Sequence, residues 1–585
     1  MHQIGTPWMD GVGQVTQCQI GPSSSYTYEY QARPSGTFWY HSHTGAQRTD
    51  GFFGALVVKE RPNRIETVKN ELKKHGVGDF EDLPGQHSIT LLDWQHEASL
   101  ETFSQLHAGL GFYTEIPVGE VPEDTDDRYE STRSIERAEV GPFPYFSGLI
   151  NGKGRHDDVP YTKTRLSVFT VQKGKSYRFR LIGAQGLYAY KFSIDGHRLT
   201  VVGTDGYWIE PKKNVDYIII HTGERYDFIL DADQETRNYW MRAETLEINP
   251  QGGPPYRSLR HVAEGILQYT EPGQSAPEIP STLYCAIKAT SPRTQCTNSH
   301  QCYAINCPFR DFHRLYYTTC INVHQLKLLE ETPLNEMPSA YPSSPCPKCQ
   351  HFINFNFEGD SETSAVNGRN FILPPAPPQT QNDDFLKQAN ICDLTANCNP
   401  SDLACTCTHM IEIPHDKTVQ FVFTALGAYD NAHPIHLHGH TFHVVDVGYP
   451  DYDTNTGFIA TSKGSECGEE IDISVHNRRI QCDDTCQCPI TNGCKTNRCT
   501  KPRWRNNESP PLSINTTTIR KDTVMVPAGG YVVINFKSDN PGHWFLHCHI
   551  EVHQLEGMAL IVNEAPDEQA KLQVPDNLNK CGDYI

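Results

Sequence analysis

Short runs rich in Val, Ile, Tyr, Phe and Thr recur along the chain with turn residues between them, as in Tyr177-Arg178-Phe179-Arg180-Leu181-Ile182 and Tyr217-Ile218-Ile219-Ile220. Long helical periodicity is scarce. Alternation and compact β-branched runs are the signature of strands with one or both faces buried, and their spacing predicts an all-β chain of sandwich type. The charged stretch 61–85 is the exception, and one helix is expected there. It connects a short first module, 1–62, to a second, 86–275. A Cys- and Pro-rich linker, 276–350, leads to a third module, 351–585. Within it, 450–521 carries Cys482, Cys486, Cys488, Cys494 and Cys499 among polar residues and reads as a disulfide-knotted surface insertion.

Composition agrees with a folded multidomain protein. At 585 residues the chain exceeds one core, given roughly 100–200 residues per domain. Gly 43 and Pro 40 supply the punctuation that many short strands require. A formal net charge of −20, from 70 acidic against 50 basic residues, repels phosphate backbones and anionic membrane surfaces, so nucleic acid is not an expected partner. No apolar run approaches the ~20 residues of a membrane span.

Twenty cysteines crowd mainly into 285–349, 392–407 and 467–499. In such loops they predict disulfides and an oxidising, secreted setting. Asn507-Glu508-Ser509 and Asn515-Thr516-Thr517 are candidate glycosylation sites, making the chain an expected glycoprotein. The start, Met1-His2-Gln3-Ile4-Gly5, has no signal-peptide layout. Beside the cysteines, this implies an incomplete N-terminus.

Histidine is concentrated in three segments: Trp39-Tyr40-His41-Ser42-His43, His433-Pro434-Ile435-His436-Leu437-His438-Gly439-His440, and His547-Cys548-His549-Ile550-Glu551-Val552-His553 with Met558 beyond. On a strand, residues two apart share a face. His41 with His43, His436 with His438, and His547 with His549 would each project paired imidazoles, and Cys548 would face the other way. A thiolate from Cys548, imidazoles from His433 and His553 and a long thioether bond from Met558 make a blue-copper donor set. A lone His-x-His is more often structural, but three pairs with an anchoring cysteine point to metal. His440, His443 and His543 match no ligand position and are expected to pack or hydrogen-bond. Cys346-Pro347-Lys348-Cys349 is read as a disulfide, since no partner pair at zinc spacing accompanies it.

These segments resemble the multicopper oxidases, whose last ligand motifs read HPxHLHGH and HCHxxxHxxxxM. The resemblance extends through Thr6-Pro7-Trp8-Met9-Asp10-Gly11, Val15-Thr16-Gln17-Cys18, Leu149-Ile150-Asn151-Gly152 and Gly223-Glu224-Arg225-Tyr226-Asp227, and is nearest to animal laccases. It implies three cupredoxin-like β-sandwich domains, the first truncated, and four copper ions in the full-length enzyme: one type 1, one type 2 and a type 3 pair. His433, Cys548 and His553 would hold type 1 with Met558 axial. His436 would serve type 2, and His41, His43, His438, His547 and His549 type 3. Asp10 and Glu551 would relay protons to dioxygen, and Cys18 would pair with Cys581. The family's H-W-H-G segment has no counterpart here, and His2 lacks the paired histidine that would make it a substitute.

The implied activity is a laccase-type oxidation of diphenols or aromatic amines coupled to reduction of dioxygen to water. Ferrous-iron oxidation on the same coppers is the alternative within the family. A catalytically silent secreted protein is the alternative outside it. Setting Cys548 aside leaves an odd number of cysteines, so at least one is expected to be free, to pair between chains, or to have lost its partner.

Overall fold

A computed structural model describes residues 2–107, 132–141, 144–156, 164–274, 289, 291, 293–358, 363–392, 405–426, 431–461, 464–467, 470–473, 496–499, 501–575, 578 and 581. The chain forms two compact units. The first comprises Met1–Pro34, Thr332–Asp451 and Ile459–Ile585, and the second Ser35–Glu331 and Tyr452–Phe458. Both are built on β-sheet, as the short apolar runs predict. No helix of the described residues is long and apolar enough to cross a membrane.

In the second unit, Ser176–Gly183 pairs antiparallel with Arg225–Asp231, and Tyr190–Ile194 with Asn238–Thr245, which in turn pairs with Val262–Thr270. Burial alternates residue by residue along Asn238–Thr245, as a pleated strand with one covered face requires. Phe179 stacks on Phe228 at 5.4 Å, with Phe192 beside it at 5.8 Å. The expected helix is Pro62–Lys74, with proline at its start; Val68 and Leu72, four apart, bury its inner face against Phe80, Val202, Trp208 and Leu329. Gly36–His41 pairs antiparallel with Phe53–Val58, which fixes the strand that ends in His41.

Beneath these strands lies a buried ion network. Asp227 accepts from Arg178 at 2.5 Å and from Thr37 Oγ1 at 2.7 Å, while Asp82 accepts from Arg180 at 2.7 Å. The Arg178 guanidinium lies 3.9 Å from the Trp208 ring centroid. The Gly223–Asp227 motif singled out in the sequence is therefore structural at Asp227.

In the first unit, five strands make one sheet in the order Met410–Ile413, Ala559–Glu564, Gly542–Cys548, His433–Leu437 and Thr523–Val526. A second sheet runs through Gln350–Glu358, Thr418–Thr424, Tyr531–Lys537 and Phe442–Gly448. Gly542–Cys548 and Thr418–Thr424 are buried at every position, so both faces of these central strands are covered, polar side chains such as His547 and Gln420 included. The N-terminal residues join this unit: Val12 and Val15 pack with Phe371, Phe545, Ala559 and Ile561, which carries Asp10 into place.

Cys18 bonds Cys581 across 563 residues, which a chain-entropy treatment values on the order of 5 kcal/mol. Cys346 bonds Cys349, and the described residues also contain the pairs 296–302, 307–320, 392–407 and 467–499. Cys548 stands outside the disulfides of the described residues. Of the expected insertion, Cys482, Cys486, Cys488 and Cys494 lie outside the described residues. Its opening segment is more than a surface elaboration: Phe458 stacks on Tyr256 at 4.9 Å, and Tyr452 packs against the second unit's core.

Candidate metal centre

The fully buried strand Gly542–Cys548 delivers the central residues, and its neighbour His433–Leu437 delivers their partners. The antiparallel register sets Ile435 opposite Cys548 and His436 opposite His547. Side chains alternate across both strands, so odd and even positions build two chemically different sites on the two faces of one sheet.

On one face, Cys548 Sγ stands 3.7 Å from His433 Nδ1 and 3.6 Å from His553 Nδ1. The three donor atoms converge within bonding range of a single ion. Cys548 and Met558 have no solvent exposure, and Phe357 closes the site with its ring 4.8 Å from His553 and 6.0 Å from His433. Met558 accepts the Cys548 peptide N–H at 3.0 Å and donates its own to the His553 carbonyl at 2.9 Å, so its backbone is tied to both ligands. Burial pushes the His433 imidazole down to about 3, and burial with the neighbouring His433 holds His553 well below its usual value. Both rings are therefore neutral lone-pair donors at working pH. A soft sulfur and two neutral imidazoles in a dry pocket fit copper.

On the other face, His436, His438, His547 and His549 cluster with ring centroids 4.7 to 5.9 Å apart. Here the Nδ1 atoms of His436, His438 and His547 are committed. His436 Nδ1 donates to the Asp522 carbonyl at 2.8 Å, His438 Nδ1 to the Asp10 carboxylate at 2.9 Å, and His547 Nδ1 to the Cys548 carbonyl at 2.8 Å. A donating Nδ1–H fixes the tautomer and leaves Nε2 with the lone pair for a metal. The two faces thus present opposite ring nitrogens.

In the second unit His41 and His43 lie together with centroids 4.6 Å apart, and His41 Nδ1 donates to the Ser42 carbonyl at 3.0 Å. Glu551 is buried in the first turn of the helix Glu551–Leu555.

His440, His443 and His543 have other partners. His440 Nε2 meets Glu564 Oε2 at 2.5 Å; burial alone would lower its pKa, but the carboxylate holds it raised. His443 reaches Thr332 Oγ1 at 3.3 Å, and the His543 peptide N donates to Gln379. Asn540 bonds the carbonyls of His2 and Gly439, which fixes the turn after His438. Asp216, His300 and Cys302 also converge, but Cys302 is in a disulfide and Asp216 pairs with Arg198. Sequence reasoning missed Asp522 and Thr523, which meet His436 Nδ1, Glu564, which meets His440, and Asn540, which holds the Gly439 turn; none has a motif spacing to its partner.

Sequence profiles of the multicopper oxidases match residues 1–63, 86–271, and 373–465 with 495–568. The chain is 28% identical to laccase-1 of Fomitopsis schrenkii over 576 residues, which covers 97% of this chain and 75% of that protein. It is 25% identical to L-ascorbate oxidase of Brassica rapa subsp. pekinensis over 615 residues, covering 100% of this chain and 84% of that one. The crystal structure of the laccase from Botrytis aclada superposes with a TM-score of 0.59 at 23% identity, covering 98% of this chain and 78% of that one, a likeness of fold. With the cupredoxin-like β architecture, the copper-fitting donor set and the matched profiles in agreement, the chain belongs to the multicopper oxidase family and is a copper-dependent oxidoreductase that uses dioxygen.

Proposed function

We propose that the chain is a laccase-type oxidase of three cupredoxin-like domains, taking electrons one at a time from diphenols or aromatic amines and reducing dioxygen to water. The observation that carries this reading is the convergence of His433 Nδ1, His553 Nδ1 and Cys548 Sγ on a residue flanked by two further histidines. His433, Cys548 and His553 would hold the type 1 copper, with the Met558 thioether as a further donor. By motif, His436 would hold type 2, and His41, His43, His438, His547 and His549 would hold type 3. Copper at these positions supplies one-electron exchange with the substrate and the reduction of dioxygen.

The protein's own residues supply the rest. Cys548 is bonded in sequence to His547 and His549, and its carbonyl accepts the His547 Nδ1–H, so a short covalent and hydrogen-bonded path leaves the thiolate. Phe357 and the buried strand exclude water from the sulfur. Asp10 and Glu551 are the proposed proton carriers, Asp10 through its bond to His438. Disulfides in both units support an oxidising, secreted setting.

Two relatives with different names at similar identity leave the donor to experiment. With copper-loaded protein, kcat/KM for a simple diphenol is expected to exceed those for Fe(II) and ascorbate by about tenfold or more. A preference for Fe(II) would assign the chain to metal oxidation instead. Asp10→Asn keeps the side-chain shape but cannot carry a proton. It is expected to slow dioxygen reduction by ~10²–10⁴ while anaerobic reduction of the thiolate centre by substrate proceeds at the normal rate. Equal slowing of both half-reactions, seen by stopped-flow absorption, would remove Asp10 from the relay.

A further inference from the structure

Met558 sits at the end of a loop that is held from outside the ligand set. Glu556 and Gly557 come immediately before it in the chain. Gly557 has φ +109°, and a Cβ there would lie 2.5 Å from Asn370 Nδ2 and 2.6 Å from Phe371 N. Both neighbours belong to a hairpin of Thr363–Val366 and Arg369–Phe371, closed by Asn367-Gly368 at φ +50° and +73°, the backbone that a type I′ turn demands.

From this hairpin three groups reach the loop. Phe371 N donates to the Gly557 carbonyl at 2.9 Å. Asn370 Nδ2 donates to the Glu556 carbonyl and, at 3.0 Å, to the Ser364 carbonyl. Ser364 Oγ donates to Glu556 Oε2 at 2.7 Å. Ser364 is fully buried and Glu556 is 4% exposed, so water does not compete for that bond. Opposite Ser364 in register stands Phe357, whose ring edge meets His553. One hairpin thus contacts the loop before the axial residue, and its paired strand contacts a ligand ring.

Resting on the reading of His433, Cys548 and His553 as copper ligands with Met558 axial, we propose that Ser364 and Asn370 are positioning residues for the axial sulfur. By fixing the Glu556–Gly557 peptide they set how closely the Met558 thioether approaches, and with it the reduction potential of the centre. Thioether donation stabilises the oxidised ion, and retracting the sulfur favours the reduced one.

The test uses the full chain loaded with copper and reads the thiolate-to-copper absorption band, the electron paramagnetic resonance spectrum and equilibration with a one-electron reference couple. Ser364→Ala and Asn370→Ala are each expected to shift the equilibrium toward reduced copper by up to about tenfold, equivalent to ~59 mV for one electron. The shift runs in the same direction as that of Met558→Leu and no further, while Ser364→Thr, which keeps the hydroxyl, stays at the wild-type position. Unchanged spectra and equilibrium in folded Ser364→Ala and Asn370→Ala overturn the proposal. So does an equal shift in Glu556→Gln, which retains the acceptor and removes the charge, because the effect is then electrostatic. Should Asn370→Ala not fold, Ser364→Ala, which deletes one oxygen, decides the question alone. Unaltered spectra in Met558→Leu overturn the axial assignment itself, and so separate that failure from failure of the positioning role.

Discussion

Serine in place of Cys548 is expected to abolish the intense thiolate-to-copper absorption and to reduce dioxygen consumption to background with any donor. Among the described residues Cys548 is the soft anionic donor that meets His433 and His553, at 3.7 and 3.6 Å, and it is the proposed point from which electrons leave toward the second face. A neutral hydroxyl neither selects copper at this site nor gives a low-energy charge-transfer path. The fold should survive, because an unsatisfied buried hydroxyl costs about 1–3 kcal/mol in a unit stapled by Cys18–Cys581. Visible spectroscopy of copper-loaded protein, beside a circular dichroism spectrum that matches wild type, is the measurement. An intense band that persists in the serine variant would mean that the thiolate centre lies elsewhere.

The largest effect on stability is expected away from the proposed copper ligands, at Asp227. Replacing it by alanine leaves Arg178 and Arg180, 2% and 1% exposed, without the carboxylate between them. Loss of one partner from such a buried network costs about 3–5 kcal/mol, because the remaining charges cannot reach water. Burial by itself would raise the Asp227 carboxyl, but the two guanidiniums hold it below its usual range. Its contribution is therefore fully present above the unfolded-state carboxylate pKa and is lost as pH falls through the lower folded value. The gap in stability between wild type and Asp227→Ala should be widest near neutrality and should close in acid. Chemical denaturation at both pH values checks this, and a loss under about 1 kcal/mol at neutral pH would show that the network is not structural.

How much of this was legible in the chain follows from which interactions are local. The proposed type 1 donors in HCHxxxHxxxxM lie within eleven residues, and a strand's two-residue period alone puts Cys548 opposite to His547 and His549. The β texture, the helix inside 61–85 and the 346–349 disulfide rest on spacing of the same short range. The Cys18–Cys581 pair was available only through family resemblance, since nothing near either cysteine indicates the other.

What only the tertiary structure decided is everything set by register and by partners remote in sequence. His433 meets Cys548 because Ile435 pairs with Cys548 across two strands. His436 is oriented by Asp522, 86 residues on, and the loop before Met558 is bonded by Ser364 and Asn370, 192 and 186 residues before their Glu556 partner. The same holds for the allocation of Met1–Pro34 to the first unit and of Tyr452–Phe458 to the second. Ligand identity is carried by covalent spacing and strand alternation, which the sequence by itself determines. Ligand orientation depends on hydrogen bonds between segments whose proximity exists only after burial has chosen the sheet register, and no local pattern of residues encodes that choice.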